Sequence, residues 1–178
     1  RSASFYEKTD YKAAGLPGEA ELAIMEPLRD SLPPAAFEEP FVPPATDGSG
    51  RVRDMARRAM ALFTEAGCRL EGNRLLLPSG EQLSIEFLDD DNSFEAHQNA
   101  FNRNLRSVGI DATYRVVDAS QYTLRRRDFD FDMTMSRYTM PMYPHRFIRQ
   151  LFGSSSASAP GSFNLAGVAN PAIDAVLD

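Results

Sequence analysis

Residues 83–116, LSIEFLDDDNSFEAHQNAFNRNLRSVGIDATYRV, carry the pattern that decides the fold. Residues 83–88 and 110–116 alternate apolar with polar side chains, which is the two-residue period of a β-strand. Between them, apolar side chains recur at helical spacing over residues 94–108, and Gly109 stands where helices commonly end. A strand, a helix and a second strand of this length favour a parallel pair of strands joined by a right-handed crossover.

The same alternation of elements continues on both sides of this stretch. Residues 119–127 predict a short helix with Asp118 as its N-cap, and residues 129–136 alternate as a third strand. Upstream, residues 74–77 and 83–88 flank a Pro-Ser-Gly-Glu turn, which predicts a β-hairpin. The predicted fold class is therefore α/β, with a mixed, mainly parallel sheet and flanking helices.

The first 50 residues differ in composition from the rest, because six of the twelve prolines lie between Pro27 and Pro44. A short helix is predicted over residues 19–30, ending or kinked at Pro27. Residues 32–44 are interpreted as an extended strap.

Two segments follow from this change in composition. Residues 1–50 are predicted to form a proline-rich strap with a short helix that packs on the lobe. Residues 51–178 are predicted to be the α/β lobe itself, which opens with a helix over residues 52–66.

Both ends of the sequence resemble the ends of an excised segment. The chain opens at Arg1 without an initiator methionine or an apolar signal segment. It stops at Asp178, shortly after Asn170 and Pro171 give the signature of a helix start. We therefore expect a lobe that is truncated at both ends relative to a longer parent, with any signal peptide upstream.

Composition excludes several classes of protein. The chain has 178 residues, of which 43% are hydrophobic and 25% charged, as in ordinary globular proteins. Its net charge of −6 argues against a nucleic-acid-binding groove and against a basic membrane-surface module. The single cysteine, Cys68, cannot form an internal disulfide bond or a thiolate zinc cluster.

No catalytic or metal-binding pattern emerges from the residues. The acidic run 89–91 lacks the glycine and the later glutamate of a calcium loop, and is interpreted as capping the helix that starts near Phe94. His97 lies on the apolar stripe of that helix and is expected to be buried, and with His145 it makes a poor zinc site. Asp130 and Asp132 are expected to face solvent or to cap neighbouring elements. We predict no catalytic residue, no metal ligand and no cofactor.

Three segments offer other functions. Arg125, Arg126 and Arg127 end a helix, where the helix dipole favours cations, and anion binding is the less favoured alternative. Residues 138–144, rich in tyrosine, methionine and proline, follow the third strand at its carboxyl end, where open α/β sheets bind ligands. The alternative for this segment is a loop packed under a neighbouring lobe. Residues 153–161 are interpreted as a flexible loop.

The order and spacing of several segments resemble a known family. Together they are similar to the second lobe of the extracellular solute-binding proteins of peptide-type ABC importers, the dipeptide/oligopeptide/nickel class. A further set near the amino terminus is similar to the oligopeptide branch linked to microcin C uptake. The first set comprises residues 78–88, 102–112, 117–122, 127–133, 151–154, 161–164 and 170–177, and the second residues 16–17, 21–22 and 26–30.

The resemblance implies one lobe of a two-lobed type II periplasmic binding protein and a non-enzymatic receptor. Such receptors bind a peptide or peptide-like ligand between two lobes and deliver it to ABC permease subunits in the inner membrane. The implied partners are that ligand, the permease and the other lobe of the same parent chain, with no nucleic acid. The implied location is the periplasm.

One departure from the family pattern bears on the ligand. Many of its peptide receptors place Trp-x-x-Asp just after the third strand, where the aspartate pairs with the peptide's amino group. Arg137 and Met140 stand at those two positions here, so that salt bridge is not expected. The residues predicted to contact the ligand are Arg137, Tyr138, Met140, Tyr143 and Asn164. Arg137, a rigid fork of donors, suits a carboxylate or phosphate, with a surface salt bridge as its alternative.

Other classes remain open beside the peptide receptor. They are a receptor for a non-peptide ligand such as a metal chelate, a non-catalytic scaffold or interaction domain, and an enzyme domain whose active groups lie outside these residues.

Overall fold

The computed structural model describes residues 15–40, 42, 52–138 and 146–177. In chain order its elements are α1 (Glu19–Met25), a 3₁₀ turn (Glu26–Ser31), α2 (Ala35–Glu38), α3 (Arg53–Glu65), β1 (Arg69–Glu71), β2 (Arg74–Leu76), β3 (Ser84–Asp89), α4 (Glu95–Ser107), β4 (Asp111–Val116), α5 (Ala119–Arg127), β5 (Met133–Thr134), α6 (Phe147–Phe152), a second 3₁₀ turn (Ser154–Ser156) and α7 (Pro171–Leu177). None of the helices in these ranges is long and apolar enough to cross a membrane.

The chain divides into two compact units. One comprises Arg1–Ala45 with Pro144–Asp178, and the other comprises Thr46–Tyr143. This division differs from the predicted one, which placed a single boundary after residue 50. The reason is that α7 packs against α1 and the first 3₁₀ turn, so the carboxyl-terminal helices group with the amino-terminal segment.

The unit that contains the strands is built on a three-stranded parallel sheet with the order β4-β3-β5. The central strand β3 pairs Leu88 with Arg115 of β4 and with Thr134 of β5. α4 and α5 provide the two crossovers between parallel strands, as the sequence pattern predicts.

The predicted hairpin is present but short: the N–H of Leu77 donates to the carbonyl of Glu81 at 2.8 Å, and that of Leu83 donates to the carbonyl of Leu75 at 2.9 Å. β2 pairs antiparallel with β1 across a tight turn at Gly72, whose φ of +60° favours glycine. Between β2 and β3 the described residues show one isolated bridge, Leu76 to Gln82. The antiparallel strands therefore form a separate ribbon, and the sheet that carries β3 is parallel throughout its described strands.

The core of this unit lies where the ribbon, α3, α4 and the sheet meet. Gly109 lets β2 lie against the end of α4, because it has no side chain and can adopt a φ of +88°. Its carbonyl oxygen accepts a 2.8 Å hydrogen bond from the backbone N–H of Leu75. A Cβ atom at Gly109 would lie 2.6 Å from Leu70 Cδ1. The buried members of the core are Cys68, Leu75, Val108, Ile110 and Ala112.

The third predicted strand is much shorter than residues 129–136. Phe129 has a φ of +56° and ends α5: the N–H of Asp130 bonds the carbonyl of Arg125 at 2.8 Å, and that of Phe129 bonds the carbonyl of Arg126 at 3.3 Å. This is a Schellman end, in which the residues after the helix satisfy its last carbonyls. Extended pairing therefore begins only at Met133.

The other unit is helical in its described residues. α1 ends at Met25 and continues as the 3₁₀ turn that contains Pro27, which confirms the predicted kink. The segment 32–44 is not wholly extended, because it contains the short helix α2. α2 buries Phe37, and the guanidinium carbon of Arg29 lies 3.8 Å from the centroid of its ring. Asn170 Oδ1 accepts a 2.8 Å hydrogen bond from the N–H of Ala172, as predicted for the N-cap of α7.

Candidate functional site

The carboxyl ends of β3 and β5 lie side by side, although α4, β4 and α5 separate them along the chain. Parallel α/β sheets bind their ligands at the carboxyl ends of strands, where neighbouring connections diverge. Asp89 and Thr134 are the last residues of these two strands. The candidate site is therefore the end of the sheet formed by residues 88–91 and 134–138.

Side-chain hydrogen bonds fix β5 at this end. The hydroxyl of Thr134 donates to the carbonyl oxygen of Leu88 at 3.0 Å, and the buried Tyr122 places its own hydroxyl 2.9 Å from Thr134 Oγ1. Tyr122 also donates to the carbonyl oxygen of Met135 at 3.3 Å. α5 thereby sets the direction in which the chain leaves β5 toward Arg137.

A second set of hydrogen bonds closes the end of β3. Asp89 is only 4% exposed, and its Oδ2 accepts a 3.0 Å hydrogen bond from the hydroxyl of Tyr114 on β4. The same hydroxyl lies 2.8 Å from the carbonyl oxygen of Asp91. Burial, then the carboxylates of Asp89, Asp91 and Glu95, raise the pKa of Tyr114, so the phenol is neutral and donates at neutral pH.

The predicted roles of the acidic run and of His97 are wrong. The N-cap of α4 is Phe94, and no side chain caps it. Asp91 instead accepts a 2.6 Å hydrogen bond from the N–H of Ser93, and His97 is exposed beside the Phe94 ring. Within the described ranges no three His, Cys, Asp or Glu side chains are grouped to hold a metal ion.

The predicted ligand contacts fall into three groups. Arg137 is exposed and Tyr138 is half-buried, and both follow β5 at the candidate site. Met140 and Tyr143 lie outside the described residues, as does His145. Asn164 belongs to the other unit.

The side chain of Asn164 is fully buried and holds its own loop. Its Nδ2 donates to the carbonyls of Val168 at 2.8 Å and Gly153 at 3.2 Å, while its Oδ1 accepts from the N–H of Val168 at 2.9 Å. A side chain engaged in this way organises the loop. Residues 153–161, interpreted from the sequence as a flexible loop, contain a 3₁₀ turn, Ser154–Ser156, whose first N–H donates to Asp174 Oδ1 at 2.8 Å.

Sequence reasoning missed Tyr114, Tyr122 and Thr134 as parts of this end of the sheet. Each occupies an ordinary position in a helix or strand, and their convergence depends on the strand order β4-β3-β5. The only signal was the alternation that places Tyr114 and Thr134 on strands.

Two solved structures share this architecture. An oligopeptide-binding protein of Thermotoga maritima solved with mannohexaose superposes with a TM-score of 0.59 at 15% identity, covering 78% of this chain and 29% of that one. The oligopeptide-binding protein AppA of Bacillus subtilis, solved with a nonapeptide, gives a TM-score of 0.58 at 16% identity, covering 88% of this chain and 32% of that one. The fold is that of one lobe of a type II periplasmic binding protein, as the family resemblance implies.

The family follows from the sequence match. Residues 26–159 match the family described as bacterial extracellular solute-binding proteins, family 5 Middle, and the chain belongs to that family. It is 40% identical over 178 residues to a probable peptide-binding protein, YejA, of Agrobacterium fabrum. That match covers 99% of this chain and 29% of the relative, so the chain spans less than a third of the curated protein's length.

Proposed function

We propose that this chain supplies part of the solute-binding receptor of an ABC importer, which captures a peptide or peptide-like solute and delivers it to a permease in the inner membrane. Family membership carries the proposal. The name of the Agrobacterium relative supports a peptide as the solute. The receptor acts in the periplasm and does no chemistry on its solute.

The candidate site supports this function because side-chain hydrogen bonds hold its strand ends together and because it offers both neutral polar and charged groups to a solute. Tyr122 and Thr134 fix β5 against β3, and Tyr114 fixes β4 against β3. A preorganised end of this kind loses little entropy when a solute binds. Tyr138 and Arg137 then offer an aromatic wall and a guanidinium fork to a peptide.

The solute-contacting residues in this proposal are Arg137, Tyr138, Met140 and Tyr143. Asn164 enters as the residue that shapes its loop. The absence of the family's Trp-x-x-Asp anchor at Arg137 and Met140 means that the peptide's amino group is held elsewhere.

Native mass spectrometry of the full-length parent protein, purified gently from the periplasm, tests the function. A bound mass that fragments as a peptide supports the receptor. Protein that is empty and shows no thermal shift with mixed peptides contradicts peptide binding, because a solute that binds only the folded state raises its stability. A bound chelate or oligosaccharide would instead identify a non-peptide solute.

A further inference from the structure

Arg126 differs from the two arginines beside it on α5. Arg125 bonds Glu86 at 2.9 Å and Asp130 at 2.8 Å, and Arg127 bonds Asp128 at 2.8 Å. Within the described part of the chain, Arg126 has no carboxylate partner. Of the three neighbouring guanidinium groups in the described residues, that of Arg126 is therefore the one without a carboxylate to balance its charge.

The guanidinium of Arg126 is held in a defined place. Its Cζ lies 5.3 Å from the centroid of the Tyr122 ring, and its Nη2 lies 3.4 Å from Ser136 Oγ. Tyr122 is itself fixed to Thr134, the last residue of β5. Ser136 lies two residues beyond the end of β5, in the candidate site. The guanidinium of Arg126 on α5 therefore reaches the candidate site through its contact with Ser136.

Part of this guanidinium is buried without compensation. Its Nε has no hydrogen-bond partner among the described residues and is shielded from solvent, although the side chain as a whole is half-buried. A charge that is partly withdrawn from water without a counter-charge is unfavourable, and an anion at the open edge of the fork offsets that cost. Arg137, which is exposed and follows Ser136 directly, adds positive potential in a chain of net charge −6.

We propose that the Nη atoms of Arg126 and the hydroxyl of Ser136 form a subsite for a carboxylate group of the solute. This inference rests on the proposed function, because it assigns one chemical group of the solute to that site. The planar fork of arginine matches the two oxygens of a carboxylate, and the serine hydroxyl supplies a third donor. The carboxylate comes either from the carboxyl terminus of a peptide or from an acidic side chain.

Three tetrapeptide pools tested on the full-length protein distinguish these sources. The first has free carboxyl termini and no acidic residues, the second is the same pool with amidated termini, and the third is amidated but contains glutamate. The variants are Arg126→Met, and Arg127→Met as the matched control, because Arg127 is paired with an exposed aspartate. Isothermal titration gives the affinities, and the melting temperature of each variant reports whether it folds.

We expect the unsubstituted protein to bind one carboxylate-bearing pool about tenfold or more tightly than the amidated pool, as a charge-assisted hydrogen bond implies. Arg126→Met abolishes that ratio, Arg127→Met preserves it, and Arg126→Lys retains part of it. Preference for the first pool identifies the carboxyl terminus, and preference for the third identifies an acidic side chain.

Equal binding of all three pools, or a ratio that survives Arg126→Met, overturns the subsite while leaving the peptide receptor in place. Failure of the unsubstituted protein to bind any pool overturns the peptide receptor and the subsite with it. If Arg126→Met unfolds, Ser136→Ala decides the matter by the same ratio, which must fall if the subsite exists.

Discussion

The hydroxyl of Tyr114 on β4 and the buried carboxylate of Asp89 on β3 are 3.0 Å apart. They join the carboxyl ends of two adjacent strands. Asp89 is the last residue of its strand, and its other oxygen accepts a 2.9 Å hydrogen bond from the N–H of Asp90. One phenol therefore stabilises both the sheet and the loop that leaves it.

Replacing Tyr114 by phenylalanine removes this donor while keeping the ring beside Phe87, 6.0 Å away between centroids. Because Asp89 then loses a hydrogen bond while buried, we expect the free energy of unfolding to fall by about 1–3 kcal/mol. Urea unfolding at neutral pH measures it. An unchanged midpoint would contradict the role given to this pair.

The same variant tests the raised pKa of Tyr114. The unfolded phenol ionises near its ordinary value of 10.0, whereas the folded one stays protonated to higher pH. The stability that this group contributes is therefore complete below pH 10 and is lost as the pH rises toward the folded pKa. We expect the free energy of unfolding to decline less steeply above pH 10 in Tyr114→Phe than in the unsubstituted protein. Equal slopes would show that Tyr114 is not the group responsible.

Gly109→Ala is expected to lower the free energy of unfolding by about 2–4 kcal/mol, because the new Cβ meets Leu70 and Leu75 in a left-handed conformation. Gly72→Ala is the matched control, with a φ of +60° and no atom within 4 Å of the added Cβ. It should cost about 1–2 kcal/mol, from the backbone conformation alone. Equal losses in the two variants would show that close packing at Gly109 does not matter.

Asn164→Ala removes the three hydrogen bonds made by a fully buried side chain. It leaves the carbonyl of Gly153 and both backbone groups of Val168 without this partner, so we expect a loss of about 2–4 kcal/mol in the free energy of unfolding. Chemical denaturation measures it. A variant of full stability with a weakened affinity for solute would instead favour direct contact between Asn164 and the ligand.

Arg137→Gln should weaken solute binding without changing stability, because Arg137 is exposed beyond the end of β5. We expect the Kd of the full-length protein for its solute to rise about tenfold. The melting temperature without solute should stay the same. Unchanged affinity would remove Arg137 from the proposed site.

Local chemistry determined which elements the sequence could predict. α5 has its predicted bounds, since Asp118 accepts hydrogen bonds from the N–H groups of Ser120 and Gln121, both at 3.0 Å. The third strand was predicted too long because alternation continues through Phe129, whose backbone instead closes the helix. β1 was missed because it is only three exposed residues long and shows no apolar alternation, although the turn at Gly72 and the predicted turn that contains Gly80 both form.

The sequence predicted where the candidate site lies, but only some of the residues that form it. A segment that follows a parallel strand is placed at the carboxyl end of the sheet by chain order alone, which located Arg137 and Tyr138. The hydrogen bonds among Tyr114, Tyr122 and Thr134 join residues on different strands and helices, so no spacing along the chain encodes them.

The brevity of β5 has a consequence for the order of folding. β3 and β4 pair over six residues through one crossover, whereas β5 contributes two residues, and its Thr134 meets Leu88 across 46 positions of the chain. Once β3, α4 and β4 are paired, docking β5 must still order its connection from β4 in return for only these few contacts. We expect β3, α4 and β4 to form first and β5 to dock late, so the edge that we propose receives the solute is the last part of the sheet to be completed.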